Sequence, residues 1–330
     1  GGSAGPKDPT GNDSTAVVDT FQWETEQFAD IRILRYQIPG WDQLSLQQKQ
    51  LCYYLNMAGL AGRDIMWDQN YRHNLRIRRA LETILGSDQV QRVGAEWEAF
   101  EVYAKQVFFS NGIHHHYSND KHIPGFGQAY FEGLLKSAGT NLAPEVLTAM
   151  FDPTVDAKKV SLAADKDPIL ASAVNFYGDD INQKEVEQFY AAMEQKDAVE
   201  PLSYGLNSRL VRGKDGKLME QVYKVDGLYG PALTESVKWL EKAAGVAETP
   251  EQKAALDLLV QYYRTGDLKT WDDFNVAWVK DTKSTVDYIL GFVEVYNDPI
   301  GKRGSYEAIV EVNDPEASRN MSVIMENAQW

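Results

Sequence analysis

Cysteine is almost absent. Cys52 stands alone in 330 residues, so no internal disulfide can form and the chain does not rely on oxidation for stability. Its setting, "QQKQLCYYLNMAGL", is a helical pattern that predicts a buried, inert thiol. Long apolar runs are missing too, and none approaches the roughly 18 to 20 residues that a membrane-spanning helix needs. Basic residues are the minority, 33 Lys and Arg against 48 Asp and Glu, for a formal charge of -15 and a pI near 4.8. A field of that sign repels phosphate backbones and anionic lipid heads, which argues against nucleic acid as a partner. The one basic cluster, Arg72, Arg76, Arg78 and Arg79, falls at helical spacing just before Glu82. It reads as a solvated or salt-bridged helix face.

Motifs of the familiar enzyme classes are also missing. No G-x-S-x-G elbow, P-loop or dinucleotide fingerprint occurs between a strand and a helix. There are five histidines, His73, His114, His115, His116 and His122, and none is followed by Glu. The H-E-x-x-H helix that sets two imidazoles around zinc is therefore excluded. His114 and His116 point the same way on an extended chain and His122 can fold back, so three imidazoles for an open zinc site are available in principle. Turn signals at Ser110-Asn111-Gly112 and Asn119-Asp120 favour instead a loop that lines a surface or cleft.

What is present is a folded, mostly helical protein. The 43% hydrophobic and 25% charged residues are ordinary globular values, and the length supports a large core. Residues 1–20 are rich in Gly, Pro, Ser, Thr and Asp and read as a disordered tether or a processing or cloning remnant. A natural processed end implies a periplasmic or lipid-anchored protein; otherwise the cytoplasm is the default. "FADIRILRYQIPGW" suggests a short strand before a turn. Ser45 with Gln48 opens a helix whose face is Leu51, Leu55 and Ala58, and Trp97, Phe100, Tyr103 and Val107 form another helical stripe. Asn182 with Glu185, Thr249-Pro250 with Gln252, and Thr270 with Asp273 mark further helix starts. "NSRLVRGKDGKLMEQVYKV" is a hairpin signal with its turn at Gly213 to Gly216. No linker divides residues 21–330, so the pattern predicts one large α+β lobe, predominantly helical.

The segment "GFVEVYNDPIGKRGSYEAIV" poses the functional question. Period-two alternation puts Val286, Tyr288, Leu290, Phe292, Glu294 and Tyr296 on one face of a strand. A carboxylate on such a face needs solvent or a partner, and Arg303 or Lys302 across the turn could supply one. The competing reading is a cleft, where the carboxylate binds a cationic group such as a peptide's amino terminus and the phenol donates to developing negative charge.

The run from Gly291 to Gly304, with Tyr306-Glu307 after it, resembles the G-F-x-E-x-Y-x-D-P-x-G-x-R-G segment of dipeptidyl peptidase III, a zinc metallopeptidase family. "RDIMWDQNYRHNLRIRRALE", "FFSNGIHHHYSNDKHIPGFG" and "NFYGDDINQKEVEQFY" are similar to its bacterial members. The resemblance implies that Glu294 anchors the substrate's amino terminus and that Tyr296 stabilises the oxyanion at the scissile carbonyl. Val295, where other members can have a small polar residue, would lie along the peptide backbone. It further implies a lobe containing a small, about five-stranded β-barrel, facing a largely helical lobe that carries zinc. The family's H-E-x-x-G-H is absent from this sequence, so residues 21–330 would be the amino-terminal, substrate-binding lobe, incomplete at its carboxyl end. Zinc would then be a cofactor of the full-length protein and not of this chain, with short peptides and a C-terminal zinc-binding lobe as its partners. The alternative is a free-standing, non-catalytic peptide-binding module.

Overall fold

The computed structural model describes residues 20–194 and 199–329, so the tail read from the sequence lies, up to residue 19, outside them. Two compact units divide the chain, Gly1–Gln37 and Ile38–Trp330. In the first, β1 (Glu24–Phe28) and β2 (Ile31–Leu34) form an antiparallel hairpin. The sequence suggested a single strand here, because β1, "ETEQF", is exposed at its first four positions and has no apolar alternation to read.

The second unit is built from helices that start where their caps are. The Ser45 hydroxyl accepts the Gln48 N–H and the Gln48 side chain accepts the Ser45 N–H, so α1 (Leu46–Ala61) opens on the expected capping box. Leu51, Leu55 and Ala58 are fully buried on its inner face, with Cys52 buried beside them. Helices α2 (Arg63–Asn70), α3 (Asn74–Gly86), α4 (Ala95–Phe109), α5 (Gln128–Ser137) and α6 (Pro144–Phe151) surround a second core. It contains the expected α4 stripe of Trp97, Phe100, Tyr103 and Val107. Within the basic cluster Arg78 is bonded to Glu82 at 2.8 Å and Asp64 at 2.7 Å, and Arg72 to Asp179 at 2.7 Å. Asn182 and Glu185 cap α7 (Gln183–Ala191). β3 (Ser208–Arg212) and β4 (Leu218–Val222) form the hairpin signalled by the sequence.

Helices α8 (Gly230–Ala244), α9 (Pro250–Thr265) and α10 (Leu268–Lys280) pack with α1 around the main core. Thr249 caps α9, and Gly266, at φ 69°, ends it. One helix start is corrected. Asp267, not Thr270, caps α10, because its carboxylate accepts the Thr270 N–H at 2.8 Å. β5 (Val286–Phe292) pairs antiparallel with β6 (Tyr306–Val312), and α11 (Pro315–Glu326) follows. Val286, Tyr288, Leu290 and Phe292 are each at most 1% exposed against the main core. Burial on this scale contributes roughly 1.5–3 kcal/mol per large apolar side chain, which holds β5 firmly in place.

The expected barrel does not form among the described residues, where the strands pair as three separate two-stranded sheets. The backbone shows why. Ser305 and Asn313 turn their hydrogen-bonding groups toward the β5 side, to residues just after and just before that strand. By alternation the even-numbered residues of β6 face the other way. Tyr306 is bonded there by a side chain, whereas Ala308 and Val310 have no backbone partner among the described residues. β6 thus has an open edge. Among the described residues, no helix is long and apolar enough to cross a membrane.

Candidate functional site

The strand that carries Glu294 and Tyr296 does not continue as alternation predicts. Gly291 sits at φ 148°, and a Cβ there would come within 2.9 Å of the Trp271 ring, so the position accepts only glycine. Two residues later the ladder takes in an extra residue. The Val293 N–H donates to the Ser305 carbonyl at 3.0 Å, while the Ser305 N–H donates to the Glu294 carbonyl at 2.9 Å. Val293 and Glu294 therefore share one partner, which is a β-bulge. A one-residue insertion exchanges the two faces of everything after it. Val293 and Val295 pack against the core, and Glu294 and Tyr296 emerge into solvent, with Tyr296 70% exposed.

This corrects the expectation that Glu294 and Tyr296 share the buried face of Val286 to Phe292. It also bears on Val295, whose side chain lines a cavity of about 630 Å³ together with Tyr190, Tyr204, Leu206 and Lys302. Only its main chain remains on the side of Glu294 and Tyr296.

The turn after the bulge is rigid. The Asp298 Oδ2 accepts the N–H groups of Lys302 and Arg303, both at 2.8 Å, and the Tyr177 hydroxyl at 2.8 Å. Gly301 takes φ 66°. At Gly304 a Cβ would lie 2.7 Å from the Phe292 backbone. Arg303, which the sequence offers as a partner for Glu294, is fully buried elsewhere. Its Nη1 donates to the Gly205 carbonyl at 2.8 Å and the Ser208 hydroxyl at 2.6 Å. It faces Glu220 at 3.6 Å and lies against the Tyr177 and Tyr190 rings. The motif thus divides by role: Asp298, Gly301, Arg303 and Gly304 build the turn, and Glu294 and Tyr296 are displayed by it.

Two residues join the displayed pair. Burial raises the Glu307 carboxyl above the usual carboxylate range, and Glu294 adds to the rise. Burial, Glu307, Glu294 and Tyr117 together raise the Tyr296 phenol. Tyr296 therefore stays protonated and able to donate, beside two carboxylates. Among the described residues neither Glu294 nor Glu307 is ion-paired. Such a place attracts a cation. Period two in "SYEAIVEV" was the available signal for Glu307, whereas the approach of Tyr117, far away in sequence, had none.

The His115 ring stacks on His116 at 4.5 Å between centroids and lies 5.8 Å from His122, whereas His114 is engaged elsewhere. His114 is buried, its Nε2 hydrogen-bonded to the Asp156 carbonyl at 2.7 Å, and burial pulls it down to about 4. His115 Nδ1 accepts the N–H groups of Tyr117 and Ser118. His122 Nε2 pairs with the Ser110 hydroxyl at 3.1 Å. These rings shape the loop that carries Tyr117.

The rat protein named dipeptidyl peptidase 3 is 22% identical over 271 residues, covering 71% of this chain and 36% of that one. Its counterpart from Nematostella vectensis is 30% identical over 103 residues, covering 31% of this chain and 14% of that one. Among solved structures, DPP III from Caldithrix abyssi is 20% identical with a TM-score of 0.58, covering 86% of this chain and 43% of that one. Dipeptidyl-peptidase III from Corallococcus sp. strain EGB is 16% identical with a TM-score of 0.58, covering 88% and 44%. At these identities the likeness establishes the fold, and the chain spans less than half the length of these relatives. Residues 158–330, more than half of the chain and including the whole bulged segment, match Peptidase family M49, so this chain belongs to that family.

Proposed function

We propose that this chain is the substrate-holding lobe of a zinc-dependent dipeptidyl peptidase that releases dipeptides from the amino ends of short peptides. The observation that carries the reading is the bulge. It turns Glu294 and Tyr296 out of the core while the Asp298 and Arg303 turn holds them in register. Glu294, with Glu307 beside it, receives the peptide's ammonium. Tyr296 donates its proton in a hydrogen bond to the oxyanion that develops at the scissile carbonyl. The main chain at Val295 is left to align the peptide backbone.

Zinc enters this reading through the family resemblance. His114 does not suit it, since its Nε2 is taken by a main-chain carbonyl. In this reading the metal belongs to a second, largely helical lobe of the same protein. The relatives' greater length supports such a lobe. The open edge of β6 at Ala308 and Val310 supports residues 21–330 being a lobe whose barrel is completed by strands from outside the chain.

The test is Glu294→Gln in the 330-residue chain, which keeps shape and one acceptor but removes the charge. A charge-assisted hydrogen bond contributes on the order of 1.5–3 kcal/mol, so affinity for tri-alanine should fall roughly 10- to 150-fold. Affinity for amino-acetylated tri-alanine should not change. Equal losses for both peptides, with a lowered melting temperature, would assign Glu294 to the fold.

A further inference from the structure

The junction of α2 and α3 turns three polar side chains inward. Gln69, Asn70 and Asn74 are 1%, 9% and 0% exposed. The Gln69 amide makes the bonds that a neighbouring strand would make. Its Nε2 donates to the Gly304 carbonyl at 3.2 Å, and its Oε1 accepts the Tyr306 N–H at 2.8 Å. Ser305, between those two residues, faces the opposite way and holds both members of the bulge. The Ser305 hydroxyl also accepts the Asn297 amide at 3.0 Å. Gln69 is itself fixed, because its own carbonyl accepts the Asn175 N–H at 2.8 Å. Asn70, at the end of α2, and Asn74, at the start of α3, donate to the Asn111 carbonyl at 3.1 and 3.4 Å, which ties the loop leading to Tyr117 to the same junction.

We propose that Gln69 is a positioning residue for the candidate site. Its two-point grip on Gly304 and Tyr306 pins Ser305, and Ser305 pins the bulge that aims Glu294 and Tyr296. A bulge is sensitive to such pinning, because a slip of one residue would return Glu294 to the core and expose Val293 and Val295. Without the amide, the Tyr306 N–H and Gly304 carbonyl would also be buried and unsatisfied, a costly state. The proposal rests on the reading of Glu294 and Tyr296 given above, and amide exchange tests it separately.

In the unmodified chain, the Tyr306 N–H should exchange with solvent far more slowly than the Ala308 N–H on the same edge, since among the described residues only the former has a partner. Gln69→Met removes both bonds at nearly constant length. It should speed exchange across 293–297 and 304–306 by about tenfold or more, leave the β3–β4 hairpin unchanged, and reduce the preference for tri-alanine over its acetylated form. Two results would overturn the proposal: Tyr306 exchanging as fast as Ala308 in the unmodified chain, or a uniform acceleration throughout the variant. The first comparison needs no substitution, so it decides even if the variant does not fold. If the unmodified chain fails to distinguish the two peptides, the ammonium-anchor reading falls while exchange still decides the role of Gln69.

Discussion

Replacing Arg303 by methionine is expected to destabilise the chain by about 3–5 kcal/mol, the usual cost of removing one partner of a buried ion pair. Arg303 has no exposed surface, and Glu220 opposite it is only 20% exposed, so solvent does little to screen the pair. Its loss leaves the Gly205 carbonyl without its charged donor and Glu220 facing Ser208 and Tyr190 alone. The double variant Arg303→Met/Glu220→Gln should recover part of the loss, because no uncompensated charge remains. Urea unfolding of the three proteins measures this. A loss below about 1 kcal/mol for the single variant, the range of exposed pairs, would show that Arg303 does not hold the turn.

Tyr296→Phe should do the reverse, leaving stability intact and removing catalysis. The ring is mostly exposed, so the melting temperature should not move. In the full-length protein kcat should fall by about 10² to 10³, or roughly 2.7–4 kcal/mol, with KM little changed, because an oxyanion donor acts in the transition state. The phenol lies above its ordinary range because of burial, Glu307, Glu294 and Tyr117, so it stays protonated throughout the neutral range and should introduce no ionisation there. A raised KM at constant kcat would mean that the ring merely packs against bound peptide.

Local signals in the sequence were reliable where the cause was local. The capping boxes at Ser45 and Asn182, the Thr249-Pro250 start and the turn between β3 and β4 depend on residues within a few positions of one another, and the structure contains each of them. Asp267 was overlooked as a cap because Thr270 and Asp273 have the same spacing three residues later. The bulge could not be read at all. Period-two alternation runs unbroken from Val286 to Tyr296, and the extra residue exists only because Ser305, across a turn, bonds to both Val293 and Glu294. The family resemblance drew attention to Glu294 and Tyr296 through the roles it implies for them, but it supplied no reason for their exposure. That reason is tertiary, as is the approach of Tyr117. The reach of the barrel exceeded what the described strands form, since β6 keeps an open edge.

In the proposed function Glu294 and Glu307 together hold a peptide's ammonium. The direct measurement is the pKa of that amine in the bound state, followed by ¹⁵N chemical shift on a tri-alanine labelled at its amino group and saturated with the 330-residue chain. Two nearby carboxylates favour the charged amine, so its pKa should rise at least about one unit above the ordinary value of roughly 7.7–8.0, and Glu294→Gln should reverse most of the rise. A bound amine that titrates at or below its value in free peptide would show that the two carboxylates do not hold it.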